Sequence, residues 1–178
     1  DLSAGCSPSE ALESVRLLTL ANTWTLPEVL RAERERAWGL LHARPATSYG
    51  PVALTPDELG EAWQRGRVHL PLLVQAQGRR LGRFDAAPAM GWHVGRWLAQ
   101  AARTRSLPAG TVVHSGPLGL SAGDGMACLA EKRAQESRAH GEPRSAWLLG
   151  GDRVHIELQA DNGAPLMGAI DAEVLAQG

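Results

Sequence analysis

Hydrophobic alternation is clearest near the end of the chain. Val154, Ile156 and Leu158 alternate with Arg153, His155, Glu157 and Gln159, the period of a strand with one buried and one wetted face. Asp161-Asn162-Gly163 follows as a candidate type I′ turn and Leu166 to Ile170 returns, so a hairpin is expected. Gly150-Gly151-Asp152 marks another turn just before it. A second hairpin is predicted from Val68-His69-Leu70 and Leu72-Leu73-Val74 into Gln77-Gly78, with the return through Leu81 and Phe84. Val94, Trp97, Leu98 and Ala101 fall at i, i+3, i+4 and i+7, which predicts an amphipathic helix stopping before Leu107-Pro108-Ala109-Gly110. Trp92 and Trp97 are expected in or near the core.

Three similar signals announce helix starts. Ser7-Pro8-Ser9-Glu10 reads as a capping box, with proline at the first helical position and Ala11, Val15 and Leu18 on one face. The apolar run Leu17-Leu18-Thr19-Leu20-Ala21 then suits a buried strand. Thr25-Leu26-Pro27-Glu28 opens a second helix, on which the charged run Arg31 to Arg36 is the solvated face. Thr55-Pro56-Asp57-Glu58 opens a short helical turn after the strand-like Pro51-Val52-Ala53-Leu54. Thr111-Val112-Val113 looks like a short strand, and Ser115 through Gly125 is a glycine-rich loop. Many short strands, 20 glycines, 11 prolines and about three short helices favour an α+β, β-dominated fold over a doubly wound sheet.

Length narrows the organisation: 178 residues suit a single domain over 1–178. A content of 44% apolar and 21% charged residues argues against a disordered tail and a fibrous repeat. Eighteen basic against 19 acidic residues leave a net charge of −1, so no pull toward nucleic acid or a membrane surface is expected. A small molecule or a protein is the expected partner. Lys132 is the sole lysine, leaving one candidate for amine chemistry. Cys6 and Cys128 lack CxxC spacing and are expected to be free thiols in a reducing cytoplasm. The chain starts at Asp1 rather than methionine, so a fragment or processed product lacking an upstream segment is expected.

No G-x-S-x-G elbow, Walker loop, H-E-x-x-H or dinucleotide-binding glycine pattern is present. The six histidines, His42, His69, His93, His114, His140 and His155, are scattered and read individually as surface or hydrogen-bonded residues. The Ser115–Gly125 loop either approaches a ligand through its backbone amides or is a surface loop. Asp124 and Asp152 read as turn aspartates.

The order of segments resembles the fumarylacetoacetate hydrolase family. Gly50-Pro51-Val52-Ala53-Leu54-Thr55-Pro56-Asp57-Glu58-Leu59 is similar to that family's P-V-A-V-T-P-D-E-L run. Leu107-Pro108-Ala109-Gly110-Thr111 with Ser115-Gly116 resembles L-x-A-G-T/D-x-x-x-S-G-T. Leu129-Ala130-Glu131-Lys132-Arg133 and Gly151-Asp152-Arg153-Val154-His155-Ile156-Glu157 resemble its A-E-K-R and G-D-x-V-x-I-E blocks. The resemblance implies a rolled β-sheet fold with short peripheral helices, usually dimeric. It also implies a magnesium or calcium ion that chelates a β-diketo or 2-oxo acid during carbon–carbon bond hydrolysis, decarboxylation or isomerisation.

Three positions depart from the family pattern. The N-D-x-S segment, whose aspartate ligates the metal, reads Asn22-Thr23-Trp24-Thr25, so Thr23 stands at the carboxylate's place without its charge. The partner E-x-E pair would precede Asp1. The lysine of K-P-A/S-x-x-F becomes Arg44 in Arg44-Pro45-Ala46-Thr47-Ser48-Tyr49, and the threonine of S-G-T becomes Pro117. The resemblance then implies Arg44 and Glu131 as the catalytic candidates and Tyr49, Ser115, Gly116 and Pro117 as the substrate wall. Glu131 reads equally as a structural ion pair. The expected protein is a family domain with its metal site lost, weakly active or non-catalytic, serving as a binding or assembly subunit in a homodimer or with a partner chain. The alternative is an active hydrolase or decarboxylase of 2-oxo acids, its Mg²⁺ or Ca²⁺ site completed by an upstream segment or a partner. A third possibility is a metal-free enzyme with new chemistry around Arg44 and His114.

Overall fold

The computed structural model describes residues 1–37, 39–120 and 125–175. Its centre is a four-stranded antiparallel sheet ordered β6-β5-β7-β8, from β5 (Pro71–Ala76), β6 (Arg79–Asp85), β7 (Arg153–Gln159) and β8 (Pro165–Glu173). Both predicted hairpins are present, and the sheet joins them edge to edge: Leu72 lies opposite Leu158, Val74 opposite Ile156 and Ala76 opposite Val154. The sheet is open and does not close on itself. Leu72, Val74, Phe84, Val154, Ile156, Leu158, Met167 and Ile170 are buried together with Leu59, Leu70, Ala86 and Ala89 as the main core. Each such large side chain contributes about 1.5–3 kcal/mol on burial.

The two hairpins turn differently from one another. Gln77 and Gly78 both have positive φ, 54° and 70°, as a type I′ turn requires. At Asp161-Asn162-Gly163, Gly163 alone has positive φ, at 80°. The expected I′ turn is instead a turn closed by Gly163 N–H to the Ala160 carbonyl at 2.8 Å, with Asn162 Oδ1 accepting the Ala164 N–H at 3.0 Å. The Asn162 side chain stabilises the longer loop by capping it, and this competes with the I′ geometry.

Around the sheet lie α1 (Pro8–Glu13), α2 (Pro27–Glu35), α3 (Ala86–Ala89), α4 (Val94–Ala101) and α5 (Leu129–His140). α1 starts at the predicted capping box: Ser7 Oγ accepts the Glu10 N–H at 3.3 Å and Glu10 Oε2 accepts the Ser7 N–H at 2.8 Å. α1 packs on α4 at Gly95, where a Cβ would lie 2.2 Å from the Pro8 carbonyl oxygen. Leu2, Ala11 and Ala102 form a second small core there. The third start signal opens no α-helix; the chain makes a turn and then a 3-10 segment, Gly60–Ala62.

Several expected strands are shorter than their apolar runs. Leu17 is 61% exposed, Leu18 makes one bridge to Leu54, and pairing resumes at β1 (Ala21–Asn22). β1 pairs with β2 (Ser48–Tyr49), and the short β3 (Trp63–Gln64) and β4 (Arg67–Val68) form a further ribbon. Thr111-Val112-Val113 is irregular, with Val112 62% exposed. These segments border a cavity rather than a second sheet, so their apolar side chains have no strand partner to fix them. Trp92 is exposed rather than in the core, with the Arg96 guanidinium 4.2 Å from its ring centroid. Trp97 is half-buried.

β8 carries a close contact between its backbone and the ring of Pro51. The register of β7 and β8 shifts between Glu157 and Gln159, a bulge that places Gly168 at φ 70°. The Met167 carbonyl accepts the Val52 N–H at 3.3 Å, which ties the sheet edge to the chain leaving β2. A Cβ at Gly168 would lie 2.3 Å from Pro51 Cγ. Gly168→Ala combines a positive-φ penalty with a ring clash, and we expect it to destabilise the protein by about 2 kcal/mol or more in urea unfolding. An unchanged midpoint would contradict this account of the contact.

Candidate functional site

The β1–β2 ribbon, the chain from Arg44 into β2, and the loop following Leu107 border one cavity of about 1120 Å³. Thr23, Arg44, Tyr49, Ser115, Gly116 and Pro117 all line it, so the structure brings together six of the seven candidate positions. Glu131 lies apart from this lining. It sits in the first turn of α5, its carboxylate against Gly119, where an added Cβ would be 2.7 Å from Oε2. Burial holds the Glu131 carboxyl above its ordinary value, and the expected ion pair with Lys132 or an arginine is not found among the described residues. Positions 121–124, including Asp124, lie outside the described residues.

Arg44 is placed by a clasp that begins in α2. Glu33 is 4% exposed, and its carboxylate accepts the backbone N–H groups of Leu41 (3.1 Å to Oε2), His42 and Ala43 (3.2 Å). The His42 N–H does most to hold the Glu33 carboxyl below its ordinary value, and burial opposes it. The Ala43 carbonyl in turn accepts the Leu26 N–H at 3.0 Å. The residue after this clasp is Arg44, exposed and with no ion-pair or hydrogen-bond partner among the described residues. The buried Glu33 is therefore a positioning device that a charge run on a helix concealed.

The opposite wall is set by the N-terminal segment. Leu2 and Leu107 exchange backbone hydrogen bonds at 2.8 and 2.9 Å, and Asp1 Oδ1 accepts the Ala109 N–H at 2.7 Å. Beyond Gly110, at φ 86°, the chain passes His114 and Ser115, whose hydroxyl donates to the Gly116 carbonyl at 2.7 Å. Tyr49 Oη lies 3.1 Å from His114 Nε2, linking the ribbon to this loop.

The lining is mostly apolar, including Leu72, Val74, Ile156 and Leu158 from the sheet and Trp97 and Leu98 from α4. Its charged members among the described residues are Arg16 and Arg44 against Asp1. Sequence reasoning passed over Asn22, whose side-chain nitrogen is buried in the lining with no partner among the described residues. Its place beside the divergent Thr23 was the available signal. An orphaned buried donor is costly, of the order of 1–3 kcal/mol, unless a ligand or water accepts from it.

The family model for the fumarylacetoacetate (FAA) hydrolase C-terminal domain matches residues 1–174. The chain belongs to the fumarylacetoacetate hydrolase family. The fold is also that of a crystal structure from Burkholderia cenocepacia described as a putative fumarylpyruvate hydrolase, with a TM-score of 0.61 and 17% identity. The match covers 99% of this chain and 63% of that one, so the chain spans less than two thirds of the matched protein. No curated protein matches.

Enzymes of the fumarylacetoacetate hydrolase family commonly use a divalent metal. The donor set described here does not fit one: Thr23 stands at the implied ligand position, and the lining's one described carboxylate, Asp1, is committed to a backbone amide. No group of three or more His, Cys, Asp or Glu side chains suited to a metal occurs among the described residues. A hard cation needs several oxygen ligands, preferably anionic, which the described lining does not supply.

The clasp has a pH signature. A carboxyl held below its unfolded value stabilises the native state above that value, and the contribution is lost as pH falls through the native one. Glu33→Gln is therefore expected to lower the urea midpoint most near neutral pH, with the gap to the parent narrowing below about pH 4. A gap that widens on acidification would rule the clasp out.

Proposed function

We propose that this family domain binds a small organic acid of the 2-oxo class in its apolar cavity and has weak or no family catalysis, serving as a binding or assembly subunit. The observation that carries this reading is the unpartnered Arg44 guanidinium on a wall whose described charges are otherwise Arg16 and Asp1. A guanidinium can take a carboxylate through paired hydrogen bonds, and the apolar lining suits the acid's carbon chain. Free thiols at Cys6 and Cys128 are compatible with a reducing, cytoplasmic setting. No helix among the described residues is long and apolar enough to cross a membrane.

The observation behind a second reading is Glu131. A partly buried carboxyl with a raised pKa and no described partner is suited to proton transfer. In that reading, carboxylates from outside this chain complete a metal site and the domain hydrolyses or decarboxylates 2-oxo acids.

Calorimetric titration separates the two. We expect acetopyruvate to bind in the presence of EDTA, magnesium to bind weakly, and acylpyruvate turnover to stay below ~1 s⁻¹, the low end of ordinary enzymes. Tight magnesium binding with turnover at or above that rate would overturn the first reading in favour of the second. Arg44→Gln should weaken acetopyruvate binding by about tenfold or more, the size of a charge-assisted hydrogen bond, with Arg44→Lys retaining part of the affinity.

A further inference from the structure

Some polar side chains outside the cavity are occupied by hydrogen bonds within the chain. The Arg67 guanidinium donates to the Ala87 and Met90 carbonyls, and the carboxylate of Glu136 on α5 accepts from Arg144 and Ser145. The Tyr49–His114 pair is different. It lies on the cavity wall, both residues are exposed, and neither has another polar partner among the described residues. The rings are tilted at 32° with centroids 5.8 Å apart, so a ring contact accompanies the hydrogen bond.

We infer that His114 is a ligand-positioning residue: it holds the Tyr49 hydroxyl on the cavity wall as a hydrogen-bond donor to an oxygen of the bound organic acid. This rests on the reading that the cavity takes such an acid. With its proton on Nε2, His114 donates to the Tyr49 oxygen, and the phenol O–H is left free to donate to the ligand. Tyr49 is held opposite Ala21 in the β1–β2 ribbon, and the loop that carries His114 leaves a segment tied down by the Leu2–Leu107 pairing and the Asp1–Ala109 bond.

The substitutions at matched motif positions support this division of labour. Where the S-G-T motif carries a threonine hydroxyl, this chain has Pro117, which has neither hydroxyl nor N–H. Where the K-P-A/S-x-x-F motif ends in phenylalanine, it has Tyr49, which adds a hydroxyl. One donor is lost from the loop and another is gained on the ribbon facing it. His114, three residues before Pro117, is what ties the new donor to that loop.

The test is acetopyruvate titrated calorimetrically in EDTA into the parent chain, Tyr49→Phe, His114→Leu, His114→Gln and the double variant Tyr49→Phe/His114→Leu. Tyr49→Phe and His114→Leu are each expected to weaken binding about five- to tenfold, the size of one net hydrogen bond. The double variant should lose no more than Tyr49→Phe alone, because both changes remove the same donor. His114→Gln keeps a side-chain N–H and should bind within about twofold of the parent. His140→Gln, at the exposed end of α5, is the control expected to leave affinity unchanged. Parent-like binding by His114→Leu, additive losses in the double variant, or a glutamine variant as weak as the leucine one would each overturn the assignment. A parent that does not bind acetopyruvate would overturn it together with the reading beneath it.

Discussion

Everything in this fold hangs on the antiparallel pairing of β5 with β7. It joins segments separated by about half the chain, with Leu72 opposite Leu158 and Ala76 opposite Val154. Each hairpin alone would leave an apolar face in water, and a lone two-stranded ribbon is marginal at best. Paired, they bury Leu72, Val74, Val154, Ile156 and Leu158 in one layer. The sheet also forms the floor of the cavity, since these same side chains line it. Loop closure between such distant strands must be completed before the core repays it, which places the fold among the slower topologies.

Above that floor, precision comes from carboxylates that bind backbone. Glu33 on α2 collects three N–H groups from residues 41–43. Glu136 on α5 does the same for Arg144 and Ser145, whose hydrogen bonds hold its carboxyl down to about 2. In each case a helical side chain organises the irregular chain that follows, where no strand partner is present to do so. A charge-assisted acceptor suits this role because it takes several donors at once. The first of these clasps delivers Arg44 to the cavity, so this wall depends on a residue that does not line it.

Sequence reasoning served best where period and burial coincide. The two hairpins, the starts of α1 and α2, and α4 were legible from alternation, start signals and helical spacing, but α1 stops at Glu13, short of the Val15 and Leu18 expected on its face. The family was legible for a different reason: several short motifs recur in order. What escaped has equally physical causes. α5 buries no residue fully, so it offers no apolar stripe to detect. Asn162 turned an expected I′ turn into a longer loop by capping it. The runs at Leu17–Ala21 and Thr111–Val113 are apolar because they border a cavity, and a cavity wall and a buried strand look alike in one dimension. Among the site residues, Thr23, Arg44, Tyr49 and the Ser115–Pro117 loop converge in space, whereas the position of Glu131 depends on the packing of α5, which no pattern announced.

The contact between Gly168 and Pro51 has an evolutionary consequence. Pro51 occupies the space that any side chain at 168 would need, and position 168 needs a left-handed backbone that glycine supplies. Position 168 cannot drift independently: a larger residue there is admissible only after the ring at 51 is lost and the bulge is rebuilt. Because Pro51 directly follows β2 and Gly50, this pairing makes the sheet edge and the site ribbon a single unit of inheritance. A change to the cavity wall at Tyr49 therefore meets a constraint that originates in β8.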